Sequence, residues 1–273
     1  SAVHTQFNAT TVVDESGRPE AAVALVTDLT EAVTREHQLR KALDELERFV
    51  ELASHDLQEP LRNVVSYAQM LERHCRPCLD SEAATFLRHM TGGARRARRL
   101  IEDLLDYSRV DRERLAPRPL DAGAVARRAG EALAERFQAA GAALTVADDL
   151  PAVEADPGQV GRVFEQLFDN ALKFRAGDRP LRVNVHADTL DGDPAIAVTD
   201  NGAGMEARYC DRVFGIFQRL QPPETEDGTG IGLALCWRIV ERHTGRIRAV
   251  SEPGRGTRVS FTLPPAPDGS ALH

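Results

Sequence analysis

The 273-residue sequence predicts an α+β protein. An antiparallel helical hairpin, pairing into a dimeric four-helix bundle, precedes an α/β sandwich, with an N-terminal β-hairpin and a coiled-coil linker in front. Three observations carry this. From Glu31 to about Arg73 Pro60 is almost the only helix breaker, and apolar residues recur in steps of three and four. A second run of that kind extends from Ser81 to Val110, after the short turn HCRPCLD. Beyond the two prolines of DRERLAPRPLD, strands alternate with helices, the pattern of helices segregated from a mainly antiparallel sheet.

Apolar residues make up 42% of the chain and charged residues 28%, ordinary for a soluble globular protein long enough for two modest domains. The net charge of −8 gives no electrostatic reason to expect nucleic acid as a partner. No run of 18 apolar residues and no charged-then-apolar leader is present, so a cytoplasmic segment is expected, any membrane anchor belonging to a longer parent. Cys75 and Cys78 form one CxxC beside His74. Without a second pair, this reads as a polar turn rather than a zinc or redox site.

Residues 1–30 contain two apolar runs, TQFNATTVV and AAVALVTDL, around the turn DESGRPE. They read as a β-hairpin, which alone is marginal in water and belongs to a larger sheet. The hairpin resembles the last two strands of a PAS sensor domain, whose closing tripeptide would be Asp28, Leu29 and Thr30. The same residues also suit any hairpin with Asp28 or Thr30 as the N-cap of the next helix. Residues 31–48 then form a coiled-coil signalling helix and 49–112 the helical hairpin. A helix from Glu31 to Arg73 would extend about 60 Å and cannot bury its own apolar stripe. Phe86, Met90, Ala94, Ala97, Leu100 or Ile101, and Leu104 supply a facing stripe, and a second copy covers what remains. The cluster Arg95, Arg96, Arg98 and Arg99 reads as a solvated face.

Leu39, Leu43, Leu46, Val50 and Ala53, continued by Leu57, have the spacing of a coiled-coil seam. His55 lies two residues from both Ala53 and Leu57, about 200° around the helix from each, and so points to solvent. Pro60 frees the carbonyl of Asp56 and allows a bend beyond the histidine. The neighbouring Asp56 carboxylate favours one tautomer, leaving the far ring nitrogen with a lone pair, as a nucleophile needs. Taken alone, His55 is an ordinary surface histidine.

Residues 113–266 form the sandwich and 267–273 a tail. AGAVARRAGEALAERFQ reads as one helix, AALTVA as a strand, and DPGQVGRVFEQLFDNALKF as a helix capped by Asp156 with Pro157 in its first turn. RVNVHA and AIAVTD form an antiparallel pair, followed by a Gly-rich loop, a helix from Ile231 to Thr244, and strands RIRAVS and TRVSFTL. Four motifs in this region point to a nucleotide. Gln166, Asn170 and Lys173 share one helical face, where a carboxamide oxygen suits Mg²⁺ and a lysine suits phosphate. Asp200 ends an apolar strand and can accept a hydrogen bond from an exocyclic amine, with Gly202 and Gly204 allowing close backbone approach. Phe214 and Phe217 stand at helical spacing. Gly228, Gly230 and Gly232 open a helix whose amides suit a polyphosphate. Each alone has an ordinary structural reading.

Together the four resemble, in order and spacing, the asparagine, first glycine, phenylalanine and second glycine boxes of the GHKL ATP-binding fold. PGRGTRVSFTLP resembles its closing segment, with Gly254, Gly256 and Thr257, and SHDLQEPL is similar to the histidine box of a HisKA dimerisation domain. The resemblance covers residues 40 to 265 and points to a sensor histidine kinase core of the PAS-linked, phytochrome-like branch. It implies His55 as phosphoacceptor, Asp56 as its acid–base neighbour, Asn170 as the Mg²⁺ ligand, Lys173 on phosphate and Asp200 on adenine. Phe217, Gly228, Thr229, Gly230, Gly232, Leu233 and Thr257 would complete the ATP site, with a lid from about Met205 to Thr229. Implied partners are a second copy, a response-regulator receiver domain and an upstream PAS or other sensor.

Two positions depart from the family pattern. Gln166 replaces the usual asparagine four residues before Asn170, and it cannot act as the water-activating glutamate of GHKL ATPases. Glu59 stands where threonine or asparagine often positions water for regulator dephosphorylation, which implies weak phosphatase activity. The rival readings are a nucleotide-binding pseudokinase scaffold, favoured by Gln166, and a mechanical ATPase, which lacks a base.

Overall fold

The structure, a computed structural model, describes residues 5–13, 19–75, 80–219 and 228–267, and the side chains of residues 35–56 lie outside what it describes. The chain forms two compact units, Ser1–His55 and Asp56–His273. In the first, strands β1 (Thr5–Val13) and β2 (Pro19–Asp28) make the expected antiparallel hairpin, with Thr5 opposite Asp28. Phe7 and Leu25 stay exposed on it, because two strands alone have no second layer to pack against. Helix α1 (Thr30–Cys75) starts directly after and continues through Pro60. The seam from Leu39 to Ala53 falls among the side chains not described, as do His55 and Asp56.

In the second unit, helix α2 (Ser81–Arg109) begins where the Asp80 carboxylate accepts a hydrogen bond from the Ala83 amide at 2.7 Å. The turn at 76–79, with Cys78, lies outside the described residues. Half or more of Tyr67, Met70, Leu71, Phe86 and Met90 is exposed along the end of α1 and along α2. An apolar stripe of that size on a helical pair seeks a partner surface.

The segment after α2 is fastened to the sandwich by arginines. Arg242 donates to the carbonyls of Val110 and Glu113, Arg238 holds the Asp111 carboxylate, and Arg162 reaches Glu113 at 2.8 Å. The sandwich follows with β3 (Arg118–Leu120), α3 (Ala122–Ala132), α4 (Ala134–Ala139), β4 (Ala143–Val146), β5 (Val153–Ala155) and α5 (Pro157–Lys173). It closes with β6 (Arg182–Leu190), β7 (Asp193–Asp200), α6 (Gly232–Arg242), β8 (Ile247–Glu252) and β9 (Gly256–Phe261). Five strands form one sheet in the order β4-β6-β7-β9-β8, antiparallel except for the β4–β6 pair. Along β6, Val183 and Val185 are buried while Arg182 and Asn184 are exposed, so one sheet face carries the core. Helix α5 lies on that face through Val160, Val163, Phe164, Leu167 and Phe168, with Phe164 packed against Phe261 at 5.8 Å between ring centroids.

Three details differ from the sequence reading. The helix expected from Ala122 to Gln138 breaks at Leu133, and the turn lets Phe137 meet Phe168 edge-on at 6.2 Å. The prolines after α2 lead into β3, which pairs with β5 in a small second sheet. Phe214 and Phe217 do not share a helix. A 3₁₀ turn, Arg212–Phe214, ends before Phe217, which takes φ +61° and is 53% exposed.

The aromatic centre supports α5 and hence everything α5 carries. Phe168→Ala should lower stability by about 3–5 kcal/mol, measured by urea unfolding, because the site is ringed by Phe137 and Phe164 and cannot collapse freely.

Candidate nucleotide site

Asp200 ends β7 and is drawn into the sheet edge by two backbone donors. Its Oδ1 accepts from the Gly202 amide at 2.7 Å and the Thr257 amide at 3.3 Å. Burial pushes its carboxyl above the ordinary 3.8, and the two amides offset this only in part. Gly202 permits the arrangement, since a Cβ there would sit 2.6 Å from the Phe174 carbonyl oxygen at the end of α5. Thr257 joins through Ser251, whose hydroxyl lies 2.9 Å from the Thr257 hydroxyl and donates to the Gly256 carbonyl. Gly204 continues the same loop, with the Met205 amide donating to Ser251 Oγ at 2.9 Å. Asp200, Gly202 and Gly204, from one loop, and Thr257, more than fifty residues further on, therefore form one wall.

Arg179 tightens that wall and was not legible as a site residue. It donates to the carbonyls of Asn201 at 2.9 Å, Gly202 at 3.1 Å and Gly254 at 2.5 Å, tying both glycine loops together. An arginine in a loop after α5 has no local pattern that announces this.

Helix α5 supplies the second wall. Its apolar face is buried, so Gln166, Asn170 and Lys173 fall on its partly exposed side. The Asn170 amide nitrogen is buried without a hydrogen-bond partner, and turning the amide over would leave an oxygen there instead. An amide oxygen so placed fits a hard cation such as Mg²⁺. Lys173 Nζ pairs with the Asp169 carboxylate, which Arg136 also holds at 2.5 Å. Gln166 Oε1 lies over the start of α6, where a Cβ on Gly232 would come within 2.5 Å of it. The longer side chain is thus accommodated because the facing residue is glycine.

The glycine-rich loop forms the third wall. Gly228 and Gly230 take φ +119° and +76°, and Leu233 packs partly buried against the core behind it. Thr229 is held from outside the sandwich: its hydroxyl donates to the Asp103 carboxylate of α2. Burial raises the Asp103 pKa, partly countered by Thr229 and by the charge of Lys173. Asp103 therefore holds Thr229 and feels the charge of Lys173, two residues expected in the ATP site. Of the expected lid, 220–227 lies outside the described residues, and Phe217 with Arg219 flanks the loop across a cleft. Cys236, on the buried face of α6, has its thiol pushed up by burial to about 12 and is inert as a nucleophile. Glu59 is exposed on α1, while the side chains of His55 and Asp56 lie outside the described residues.

Known proteins place this geometry. Residues 155–267 match the family of histidine kinase-, DNA gyrase B- and HSP90-like ATPases, and 45–113 match the His Kinase A (phospho-acceptor) domain. The chain is 38% identical over 228 residues to cyanobacterial phytochrome A of Nostoc sp., covering 84% of this chain and 30% of that protein. It is 31% identical over 267 residues to the sensor protein kinase WalK of Staphylococcus haemolyticus, covering 95% of this chain and 42% of that one. The chain thus spans less than half of either relative. Among solved structures, full-length ShkA in complex with AMPPNP matches with a TM-score of 0.59 and 26% identity, over 82% of this chain and 47% of that one. In the second unit, no described helix is long and apolar enough to cross a membrane, and the same holds for the first.

A test follows from Asp200. Its raised pKa means that, as pH falls, the folded chain takes up this proton before the unfolded chain does, so the ionised form costs stability at neutral pH. Asp200→Asn keeps an oxygen for the Gly202 and Thr257 amides. Its Tm at pH 7 should be no lower than wild type, with the gap closing as pH falls from the raised value towards 3.8, while calorimetry should show adenine-nucleotide affinity down at least about tenfold.

Proposed function

Because the chain belongs to the sensor histidine kinases, joining a His Kinase A hairpin to a histidine kinase-type ATPase domain, we propose that it transfers the γ-phosphoryl group of Mg·ATP to His55 and then to an aspartate of a response regulator. The observation that carries this reading is the convergence of Asp200, Asn170, Lys173 and the Gly228–Gly232 loop on one face of the sandwich, in a chain that also contains SHDLQEPL.

Asp200 reads the adenine amine, and its two amide partners hold it in place for that. Lys173 and the loop amides position the phosphate tail. A magnesium ion held by Asn170 would neutralise charge on the phosphate oxygens. His55 attacks the γ-phosphorus through its free ring nitrogen, the bond to the ADP oxygen breaks, and Asp56 takes the proton from the other nitrogen. Transfer to the regulator then exchanges the phosphorus–nitrogen bond for a bond to carboxylate oxygen.

The exposed stripe of Tyr67, Met70, Leu71, Phe86 and Met90 supports a homodimer in which two hairpins make a four-helix bundle. The β1–β2 hairpin supports a PAS-like sensor upstream, with the first part of α1 as a coiled-coil signalling helix. A core fed by ATP is assigned to the cytoplasm.

Autophosphorylation with γ-labelled ATP should give acid-labile label on wild type and only background on His55→Gln. Bound nucleotide without label would establish the pseudokinase instead, with Gln166→Asn as the variant expected to restore transfer. Glu59→Thr should raise dephosphorylation of a phosphorylated receiver domain, since the carboxylate repels the phosphoryl group; a fall in that rate would contradict the role assigned to Glu59.

A further inference from the structure

The arginine cluster of α2 is not a uniform solvated face. Arg95 and Arg98 are exposed, and Arg98 pairs with Glu102 at 3.4 Å. Arg96 alone of the four is half-buried, and Arg99, itself exposed, stands one turn further along the same face, followed by Leu100 and then Asp103 at helical spacing. That face looks onto the glycine-rich loop. Arg96, Arg99 and Leu100 line one side of a cleft of about 210 Å³, and Phe217, Gly228 and Thr229 line the other, with Arg219 at its edge.

We propose that Arg96 and Arg99 form an anion site that receives the outermost phosphate of the bound nucleotide as it emerges from the loop. This rests on the nucleotide reading above and adds what the sandwich by itself does not provide. Lys173 already shares a carboxylate with Arg136, so the phosphate tail needs further positive charge. The cleft gathers three guanidinium groups, and among the described residues no carboxylate pairs with Arg96, whose charge is left for an incoming anion. A guanidinium presents a planar fork that matches two phosphate oxygens and suits the charge that develops during phosphoryl transfer. The Asp103–Thr229 contact fixes which turn of α2 faces the loop, so the arginines come to Gly228 and Thr229 and not elsewhere. Phe217, at φ +61°, closes the far side with a ring, a conformation rare for a non-glycine residue and typical of functional sites.

The consequence is that the hairpin distinguishes a nucleotide with three phosphates from one with two. Calorimetry on the full chain with Mg²⁺ and either AMPPNP or ADP tests it, using Arg96→Gln and Arg99→Gln, with Arg95→Gln as the control on the exposed side. AMPPNP affinity should fall about tenfold in each of the two variants, with ADP affinity unchanged, and Arg96→Lys should recover part of the loss. The control should match wild type in both. Equal losses for AMPPNP and ADP, or no loss in either variant, would overturn the proposal. If a glutamine variant unfolds by circular dichroism, the lysine variants decide on the same criterion. Wild type that binds neither nucleotide would instead remove the nucleotide reading itself, and with it this site.

Discussion

The two-sidedness of α5 is the constraint on which the rest of the site depends. Phe164 and Phe168 are driven into the sheet by the hydrophobic effect, and once they are buried the helix has no rotational freedom left. Gln166, Asn170 and Lys173 are then presented on the opposite side without any interaction of their own having to place them. The carbonyl at the end of the same helix, on Phe174, receives the Ala203 amide at 2.8 Å and so sets the height of the loop beyond Asp200. Core packing thus positions at once the amide proposed for a cation, the lysine proposed for phosphate and the loop proposed to read the base.

Electrostatics add a second layer. The carboxylates Asp200, Asp103 and Asp169 are all partly buried at the rim of the site, and burial raises the first two above their ordinary range. Two of the three are engaged with residues proposed for the ATP site, Asp169 with Lys173 and Asp103 with Thr229. A polyphosphate arriving there exchanges one set of anions for another, which keeps the cationic and hydroxyl groups solvated or paired at every stage.

Much of this was legible in the residues. The periodicity of α5, the Asp156 cap and the glycine loops declare themselves locally, because each is fixed by short-range geometry. The long first helix and the start of α2 follow from absent breakers and from the Asp80 cap. What the sequence did not reveal is held by distant partners. The Asp103–Thr229 contact and the Arg179 clamp join segments with no shared pattern, and β3 and β5 are three residues each, too short to show alternation. Phe217 was misplaced for a related reason: spacing suggested a helix, but Gly215 lets the chain leave its 3₁₀ turn before that ring is reached.

The arginine fastening after α2 has a mechanical meaning. Helix α6 is gripped towards its far end by Arg238 and Arg242, which hold the chain leaving α2, and at its near end through Thr229, which Asp103 holds from the last two turns of α2. The two helices thus form a closed frame with two fixed corners. Without the hydroxyl–carboxylate corner the sandwich stays tied to the hairpin by the arginines and by Val110 in the core, so the near end of α6 loses its tether while the far end keeps it.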